Sequence, residues 1–337
     1  MMPIRVHFIT YGCTFNQADT DAMKKNIGAV AGNGGEKGFE IAECEEKADV
    51  IVVNSCSVKG ATEQKILFKA KKIAQSGKKL IIAGCLAQTE KEIVEQAVPS
   101  ASLLGTFSSG RLADALRETA AGNKVAWTKK TGELPFNVSV GGVIARVQIC
   151  RGCLGFCAYC STRLARGRLE SFKPEKIVAG IGSATAIGAK EIQLCAQDAA
   201  CYGFDFEAGE QCDLADLIGR ICEIDGRFRI RIGMGNPEHF GKIKGKIAEV
   251  VEKNGKVYKF LHIPVQSGSD DVLKAMKRDY SAKDYVELTG FFKREIPGVT
   301  IETDVIVGFP GETEEDFQKT VGLIEKTRPA ITNVSKF

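Results

Sequence analysis

Short apolar runs alternate with amphipathic stretches along this chain, and that alternation restricts the folds open to it. Near the N-terminus the apolar runs at 4–9, 50–53 and 80–83 are each followed by a stretch with helical periodicity, at 19–30, 62–75 and 89–97. A parallel sheet needs such a helix between its strands, because the helix returns the chain to the edge where the next strand begins. Residues 1–126 are therefore predicted to form a doubly wound parallel-sheet domain.

The alternation resumes at residue 143 and continues to residue 337. Six strands are expected in this part, at 143–149, 191–196, 228–234, 259–265, 299–307 and 331–337. Six units are too few to close an eight-stranded barrel, so an open six-unit (β/α)6 partial barrel is predicted for 143–337. Residues 127–142 contain three glycines and a proline, lose the pattern and are predicted to be a linker.

Three cysteines stand close together just after the first of these six strands. Residues 152–160 read Gly-Cys-Leu-Gly-Phe-Cys-Ala-Tyr-Cys, so Cys153, Cys157 and Cys160 form a C-x3-C-x2-C array. Three thiolates can hold three irons of a cubane cluster and leave the fourth iron open, whereas an electron-transfer ferredoxin supplies four cysteines. A zinc ribbon needs two C-x2-C pairs about 15–20 residues apart, which the array does not offer. Cys150 is interpreted as a small buried residue at the end of the strand.

A second set of three cysteines is spread over the first domain. Cys13, Cys56 and Cys85 each follow closely on the end of a predicted strand. Because the carboxyl ends of neighbouring parallel strands meet at one crevice, these side chains can converge although they are far apart in sequence. Packing at strand ends and zinc ligation are alternatives, but His7 is the only histidine of this domain. A second iron–sulfur cluster with one open iron is the favoured interpretation.

Taken together, the motifs resemble those of the radical S-adenosylmethionine methylthiotransferases. The resemblance covers nearly the whole chain, and within the family it is closest to the archaeal and eukaryotic type that acts on tRNA. It rests on Tyr-Gly-Cys-Thr-Phe-Asn (11–16), Val-Asn-Ser-Cys-Ser-Val-Lys (53–59), Ala-Gly-Cys (83–85), the 152–160 array, Ala-Arg-Gly (165–167), Ala-Gln-Asp-x-x-x-Tyr-Gly (196–203), His-Ile-Pro-Val-Gln-Ser-Gly-Ser (262–269) and Val-Gly-Phe-Pro-Gly-Glu-Thr (307–313). Relatives usually continue into a small β-barrel, the TRAM domain, which we expect to be absent from this chain.

The resemblance implies a [4Fe–4S] cluster on each cysteine set, with S-adenosylmethionine bound at the open iron of the 152–160 array. It implies that N6-threonylcarbamoyladenosine beside the anticodon of tRNA (position 37) is converted to its 2-methylthio derivative. The other cluster would hold or donate the sulfur, and a flavodoxin- or ferredoxin-like protein would supply low-potential electrons. Isopentenyladenosine in tRNA and an aspartate of a ribosomal protein are alternative substrates. An iron–sulfur electron-transfer or cluster-carrier protein is a more distant alternative.

Six residues at or near strand ends are candidate contacts for S-adenosylmethionine: Tyr159, Gln197, Asp198, Asn236, Gln266 and Glu302. Four of them have a simpler alternative, which is core packing for Tyr159, a helix cap for Asn236, a turn for Gln266 and an isolated strand charge for Glu302. These roles are carried by the resemblance and by the rule that catalytic loops leave the carboxyl ends of barrel strands.

Charge and hydropathy add little to the argument about function. The net charge of +4 is compatible with nucleic acid without arguing for it. Arg163, Arg166 and Arg168 follow the array and are candidate phosphate contacts, with a solvated basic face as the alternative. No run of about 18 apolar residues occurs, so no membrane span is predicted. The N-terminus enters a strand directly without a signal-peptide layout, which predicts a cytoplasmic location.

Overall fold

The computed structural model describes residues 2–28, 38–57, 60–130 and 136–337 of the chain. The described residues fall into two compact units. The first runs to Ser139 and also includes Ser161–Gly167, and the second comprises Val140–Cys160 and Arg168–Phe337. Both units combine parallel strands with helices, as the alternation in the sequence predicts.

The first unit is built on one sheet of six strands. These are β1 (Ile4–Thr10), β2 (Phe39–Ile41), β3 (Val50–Ser55), β4 (Lys79–Gly84), β5 (Ser102–Gly105) and β6 (Ala126–Trp127). Its helices are α1 (Thr14–Asn26), α2 (Gly60–Gln75), α3 (Cys85–Thr89), α4 (Lys91–Ala97), α5 (Leu112–Ala121) and α6 (Ser161–Arg166). The strand order is β2-β1-β3-β4-β5-β6 and every neighbouring pair is parallel, which is the predicted doubly wound sheet.

The central strand β3 shows how this sheet is covered on both faces. Ile51 and Val53 belong to the apolar cluster formed with α2, α3 and α4, whereas Val50 and Val52 belong to the cluster formed with α1 and α5. Successive side chains of a strand point to opposite faces, so a continuous apolar run can anchor helices on both sides. All six residues of β3 are buried, as this arrangement requires.

The second half of the structure contains nine strands and six helices in the described residues. The strands are β7 (Val138–Gly141), β8 (Ile144–Gln148), β9 (Cys150–Arg151), β10 (Glu170–Ser171), β11 (Glu191–Cys195), β12 (Arg229–Arg231), β13 (Phe260–His262), β14 (Thr300–Val307) and β15 (Ile331–Lys336). The helices are α7 (Pro174–Ala186), α8 (Leu214–Cys222), α9 (Pro237–Lys253), α10 (Asp270–Ala275), α11 (Ala282–Glu295) and α12 (Glu314–Thr327).

The six predicted barrel strands are present and succeed one another in chain order. Strands β8, β11 and β12 form one parallel ladder, and β13, β14 and β15 form another. Between β12 and β13 the backbone is linked just past the strand ends, where the amide of Gly235 donates to the carbonyl of His262 at 3.0 Å. Among the described strands no ladder joins β15 back to β8, so the predicted open (β/α)6 partial barrel is confirmed.

Several boundaries differ from the sequence-based expectation. The helix expected at 19–30 begins at Thr14, and positions 29–30 lie outside the described residues. The helix expected at 89–97 is divided at Glu90 into α3 and α4. Strands β6 and β7 lie within or at the edge of the segment 127–142 that was predicted to be a linker. Strands as short as these do not show the alternation of apolar and polar residues by which a strand is recognised in a sequence.

The helix starts follow the local sequence signals. Ser281 and Thr313 cap α11 and α12 in capping boxes with Asp284 and Asp316, as their spacing predicts. In the parts of the chain that the structure describes, no helix has both the length and the apolar character that crossing a bilayer would require.

Candidate functional site

The cysteines of the first unit lie at the carboxyl ends of three adjacent parallel strands. Cys13 is the N-cap of α1 just after β1, Cys56 follows β3 directly, and Cys85 opens α3 directly after β4. Cys56 and Cys85 are buried, whereas Cys13 is exposed. Strands β1, β3 and β4 are neighbours in the sheet, so the three residues leave the same edge, as the sequence predicts. We call this group the strand-end triad.

Two glycines bring the backbone close to the strand-end triad. A Cβ added to Gly12, which has a φ of 128°, would lie 2.9 Å from the Cβ of Cys56. A Cβ added to Gly84, which has a φ of 91°, would lie 2.7 Å from the carbonyl oxygen of Ser55. No side chain fits at either position. Glycine therefore lets the segments that carry the cysteines pack closer together than a residue with a Cβ would allow.

An amide network fixes the start of α1 against the end of β3. Asn16 donates from Nδ2 to the carbonyl of Ser55 at 2.8 Å, and Asn54 donates from its own Nδ2 to the carbonyl of Asn16 at 2.8 Å. The Sγ of Cys13 lies 3.4 Å from Oδ1 of Asn16. These bonds hold Cys13 and Cys56 in register although the residues are on different elements.

Arg166 corrects one expectation from the sequence, because it is not a surface contact for phosphate. Its side chain is 4% exposed, and Nη1 pairs with Oδ2 of Asp19 at 2.6 Å. Its Nη2 lies 3.4 Å from Sγ of Cys85, and the ring of Phe15 lies 4.8 Å from the guanidinium. Burial alone would lower the pKa of Arg166, but the negative charges of Asp19 and Cys85 outweigh it and hold that pKa above its ordinary value.

The C-x3-C-x2-C loop of the second unit follows β9, and its three cysteines are half-buried. The amide of Gly155 lies 3.3 Å from Sγ of Cys153. A Cβ added to Gly155 would lie 3.6 Å from that sulfur and 3.7 Å from Sγ of Cys157, so the two sulfurs border one small space. The amide of Cys160 donates to the carbonyl of Cys157 at 3.1 Å, in the turn that carries the third cysteine. Cys150 is fully buried, which confirms its interpretation as a packing residue.

Groups that the sequence did not single out contact two of these sulfurs. The contact with the buried Cys201, whose thiol donates to the carbonyl of Asp198 at 3.2 Å, lowers the pKa of Cys153 to about 7, although burial of Cys153 acts in the opposite direction. Nη1 of Arg278 lies 3.4 Å from Sγ of Cys157, and its Nη2 donates to the carbonyl of Pro264 at 3.0 Å. The lowered pKa favours the thiolate form of Cys153, which is the form that binds iron.

Two of the six candidate cofactor contacts support the cysteine loop directly. Oε1 of Gln197 accepts a hydrogen bond from the amide of Gly152 at 2.8 Å. Asp198 is buried, and its Oδ2 lies 4.0 Å from Sγ of Cys153 and 2.5 Å from Nδ1 of His239. Oδ1 of Asp198 accepts from the amide of Asn236 at 3.0 Å, which ties the loops after β11 and β12 together.

The other four candidates have structural partners of their own. Oδ1 of Asn236 caps α9 by accepting from the amide of Glu238 at 3.2 Å. Tyr159 packs on the apolar cluster formed by Val272, Met276 and Phe309. The simpler alternatives for Asn236 and Tyr159 are therefore confirmed, and a cofactor contact stays a prediction for each.

Gln266 and Glu302 lie on or beside the second ladder of the barrel. Gln266 has a φ of 71° and forms an isolated parallel bridge with Val305 of β14, through backbone hydrogen bonds with Asp304 and Ile306. It is therefore bonded to a strand, and the simpler alternative of a turn residue does not describe it. Oε1 of Glu302 accepts from Nδ2 of Asn333 at 2.8 Å, on the adjacent strand β15. Glu302 is therefore a partnered strand charge, and its role toward a cofactor also stays a prediction.

Two known protein families match separate parts of this chain. Residues 147–324 match the Radical SAM superfamily, and residues 5–105 match the family described as uncharacterized protein family UPF0004. A probable threonylcarbamoyladenosine tRNA methylthiotransferase of Pyrococcus horikoshii is 40% identical, with 99% of this chain and 77% of that protein covered. The chain belongs to the threonylcarbamoyladenosine tRNA methylthiotransferase family. The family resemblance found in the sequence is thereby confirmed.

Other members of this methylthiotransferase family show the same relation. A relative from Methanothermobacter thermautotrophicus is 40% identical over 99% of this chain and 77% of its own length. The threonylcarbamoyladenosine tRNA methylthiotransferase of Homo sapiens is 34% identical over 94% of this chain and 54% of its own length.

Among solved structures, the radical S-adenosylmethionine methyltransferase TsrM from Kitasatospora setae has a TM-score of 0.66 at 13% identity, with 99% of this chain and 75% of TsrM covered. That structure contains cobalamin and a [4Fe-4S] cluster. At so low an identity the likeness bears on the fold alone, and it agrees with the predicted combination of a parallel sheet and a partial barrel.

Proposed function

We propose that this protein transfers a methylthio group to C2 of N6-threonylcarbamoyladenosine in tRNA, beside the anticodon. The observation that carries the proposal is the pair of cysteine triads, one at the carboxyl ends of three parallel strands and one on the loop after β9, in a chain that belongs to this methylthiotransferase family. The relatives are named for this tRNA substrate, and the two triads give a reason for two separate metal centres.

The residues at both triads suit [4Fe–4S] clusters better than zinc. Each triad offers three thiols, and N–H donors approach Cys85, Cys153 and Cys157. Among the described residues, the groups of ligand side chains within 4.8 Å of one another are Asp198 with Cys201 and His239, and His262 with Glu302 and Asp304. Neither group includes a cysteine of either triad, so the three sulfurs of a triad do not all lie within 4.8 Å of one another in the described parts of the chain. The preference for clusters rests on the three thiols that each triad offers, one fewer than a zinc site of four cysteines needs.

When bound, the cluster of the C-x3-C-x2-C loop supplies the electron that cleaves S-adenosylmethionine, and the other cluster supplies the sulfur. The chain contributes orientation and electrostatics to this chemistry. Gln197 supports the loop by accepting from the amide of Gly152, the neighbouring Cys201 lowers the pKa of Cys153, and Arg278 donates to the sulfur of Cys157. A flavodoxin- or ferredoxin-like protein is proposed as the electron donor, and a cytoplasmic location belongs to the same proposal.

The first experiment counts iron and sulfide after anaerobic reconstitution. Two cubanes hold about eight of each per chain, and we expect the count to fall by about half in Cys153→Ala/Cys157→Ala/Cys160→Ala and, separately, in Cys13→Ala/Cys56→Ala/Cys85→Ala. Cys44→Ala is the matched control, since Cys44 belongs to neither triad, and it should keep the full count. Stoichiometric zinc, or a full count in both triple variants, would contradict the proposal.

The second experiment assigns the substrate. The reconstituted protein receives S-adenosylmethionine, a reductant and, in parallel, tRNA with threonylcarbamoyladenosine, tRNA with isopentenyladenosine, or a ribosomal protein. We expect 5′-deoxyadenosine together with a methylthio product by mass spectrometry in the first reaction. A product in one of the other two reactions instead would support an alternative substrate. Absence of 5′-deoxyadenosine in all three would support a cluster carrier.

A further inference from the structure

We propose that Arg166 is a positioning residue of the strand-end triad, which donates a hydrogen bond to the ligand sulfur of Cys85 and thereby raises the reduction potential of the cluster held there. The inference rests on the proposed function, because it requires the second cluster. It assigns to Arg166 a role inside the protein, in place of the phosphate contact that the sequence suggested.

The guanidinium of Arg166 is buried and has three close neighbours. Nη1 meets Asp19 at 2.6 Å and Nη2 meets the sulfur of Cys85 at 3.4 Å, while the ring of Phe15 lies 4.8 Å away. The side chains of Arg166 and Asp19 are 4% and 9% exposed. A planar guanidinium with two fixed partners has one orientation, and here that orientation directs an N–H group at the sulfur.

Helix α6 holds Arg166 in this position through contacts at both of its ends. At the first residue, Ser161 donates from Oγ to the carbonyl of Ser57 at 2.7 Å, and Ser57 directly follows the triad residue Cys56. Near the last residue, the hydroxyl of Thr106 donates to the carbonyl of Ala165. The helix is therefore bonded to the segment of one triad cysteine at its start and reaches another, Cys85, from its end.

The charge of the site explains why such a donor matters. Three thiolates exceed the charge of an oxidised cubane core, so the cluster is an anion, and reduction makes it more negative. A buried negative charge is costly without a partner. A cationic N–H donor to a ligand sulfur stabilises the reduced cluster more than the oxidised one, and hydrogen bonds to the sulfurs are one of the protein's means of setting a cluster potential. Asp19 fixes the cation without standing between it and Cys85.

The test measures the potential of the second cluster alone. The parent is the full chain with Cys153→Ala/Cys157→Ala/Cys160→Ala, so that one cluster remains, and its midpoint potential is read by electron paramagnetic resonance during a redox titration. We expect Arg166→Gln to shift the potential to a more negative value and Arg166→Lys to restore part of the shift. Arg168→Gln, which removes the same charge from an exposed position two residues on, should leave the potential unchanged.

The following outcomes would overturn the inference. An unshifted potential in Arg166→Gln with the full cluster present would overturn it, as would an equal shift in Arg168→Gln. If Arg166→Gln loses iron, Arg166→Lys is measured in its place, and an unchanged potential there would overturn the inference. Loss of iron from both variants, with or without unfolding, would also overturn it, because Arg166 would then be needed to hold the cluster or the fold and not to set a potential. A parent without a second cluster would instead refute the proposed function.

Discussion

Gly84 lies at the end of β4, next to Cys85 of the strand-end triad. The substitution Gly84→Ala adds one methyl group there and tests directly how closely the backbone is packed. The φ of 91° and ψ of −152° of Gly84 lie in a region that glycine alone occupies readily, and another residue there costs about 1–3 kcal/mol. The new Cβ would lie 2.7 Å from the carbonyl oxygen and 3.0 Å from the nitrogen of Ser55. These are backbone atoms of the neighbouring strand, and overpacking of this kind costs a further about 1–3 kcal/mol. Gly84→Ala is therefore expected to destabilise the first unit by about 2–6 kcal/mol.

Gly77→Ala is the matched control, because it changes the backbone strain without the clash. Gly77 also has a positive φ, of 75°, but a Cβ there would meet nothing within 4 Å. We expect it to cost about 1–2 kcal/mol, which is the price of a left-handed conformation alone. The comparison of the two alanine variants isolates the close approach of β3 and β4.

The assay is urea unfolding of the reconstituted protein followed by tryptophan fluorescence under anaerobic conditions. The chain has one tryptophan, Trp127, and it lies on β6 of the same sheet, so the signal reports this unit. With a slope of about 1–3 kcal/mol per molar urea, the midpoint of Gly84→Ala should fall about 1 M or more. Equal midpoints for the Gly84 and Gly77 variants, or a Gly84 variant that keeps both its midpoint and its iron, would refute the reasoning.

Two further predictions concern the packing and the acid stability of the units. Ile82 is fully buried in the first sheet, and Ile82→Ala should lower the free energy of unfolding by about 2–5 kcal/mol. Ile93→Ala, at a site that is 44% exposed, should lower it much less. The same fluorescence assay compares the two variants, and similar losses would contradict the assigned core. Hydrogen bonds from Ser269 and Thr313 hold the pKa of Asp316 below its ordinary value. The ionised carboxylate therefore contributes fully to the free energy of unfolding above about pH 5, and this contribution is lost as the pH falls below about 4. Asp316→Asn should therefore weaken the acid dependence of unfolding, measured by circular dichroism between neutral and acidic pH, and an unaltered pH profile would contradict this linkage.

Both cysteine triads are recognisable from the sequence alone, for two different physical reasons. The 152–160 array is a local pattern, because its three sulfurs are carried by one loop and their spacing alone indicates shared ligation. Cys13, Cys56 and Cys85 are far apart in sequence, but their positions after readable buried strands predict that they meet at one sheet edge. The observed neighbours β1, β3 and β4 confirm that placement.

The supporting residues were not predictable in the same way. Arg166 is 81 positions from Cys85, and although Ala-Arg-Gly (165–167) contributes to the family resemblance, that motif does not indicate that the guanidinium is buried beside Cys85. Cys201 stands outside any ligand spacing, yet it lowers the pKa of Cys153. Such contacts depend on how loops after different strands fold back, and local propensity does not carry that information.

The sequence by itself determined the alternation of strands and helices, and with it the parallel sheets, the open barrel, the sheet edge at which the strand-end triad emerges and the single loop that carries the C-x3-C-x2-C array. These properties follow from short-range periodicity and from the geometry of parallel connections. The tertiary structure alone decided which charges reach the sulfurs, which glycines tolerate no side chain, and that Arg166 lies inside the protein instead of on its surface. Each of these depends on distances between residues remote in the chain, which only the packed fold sets.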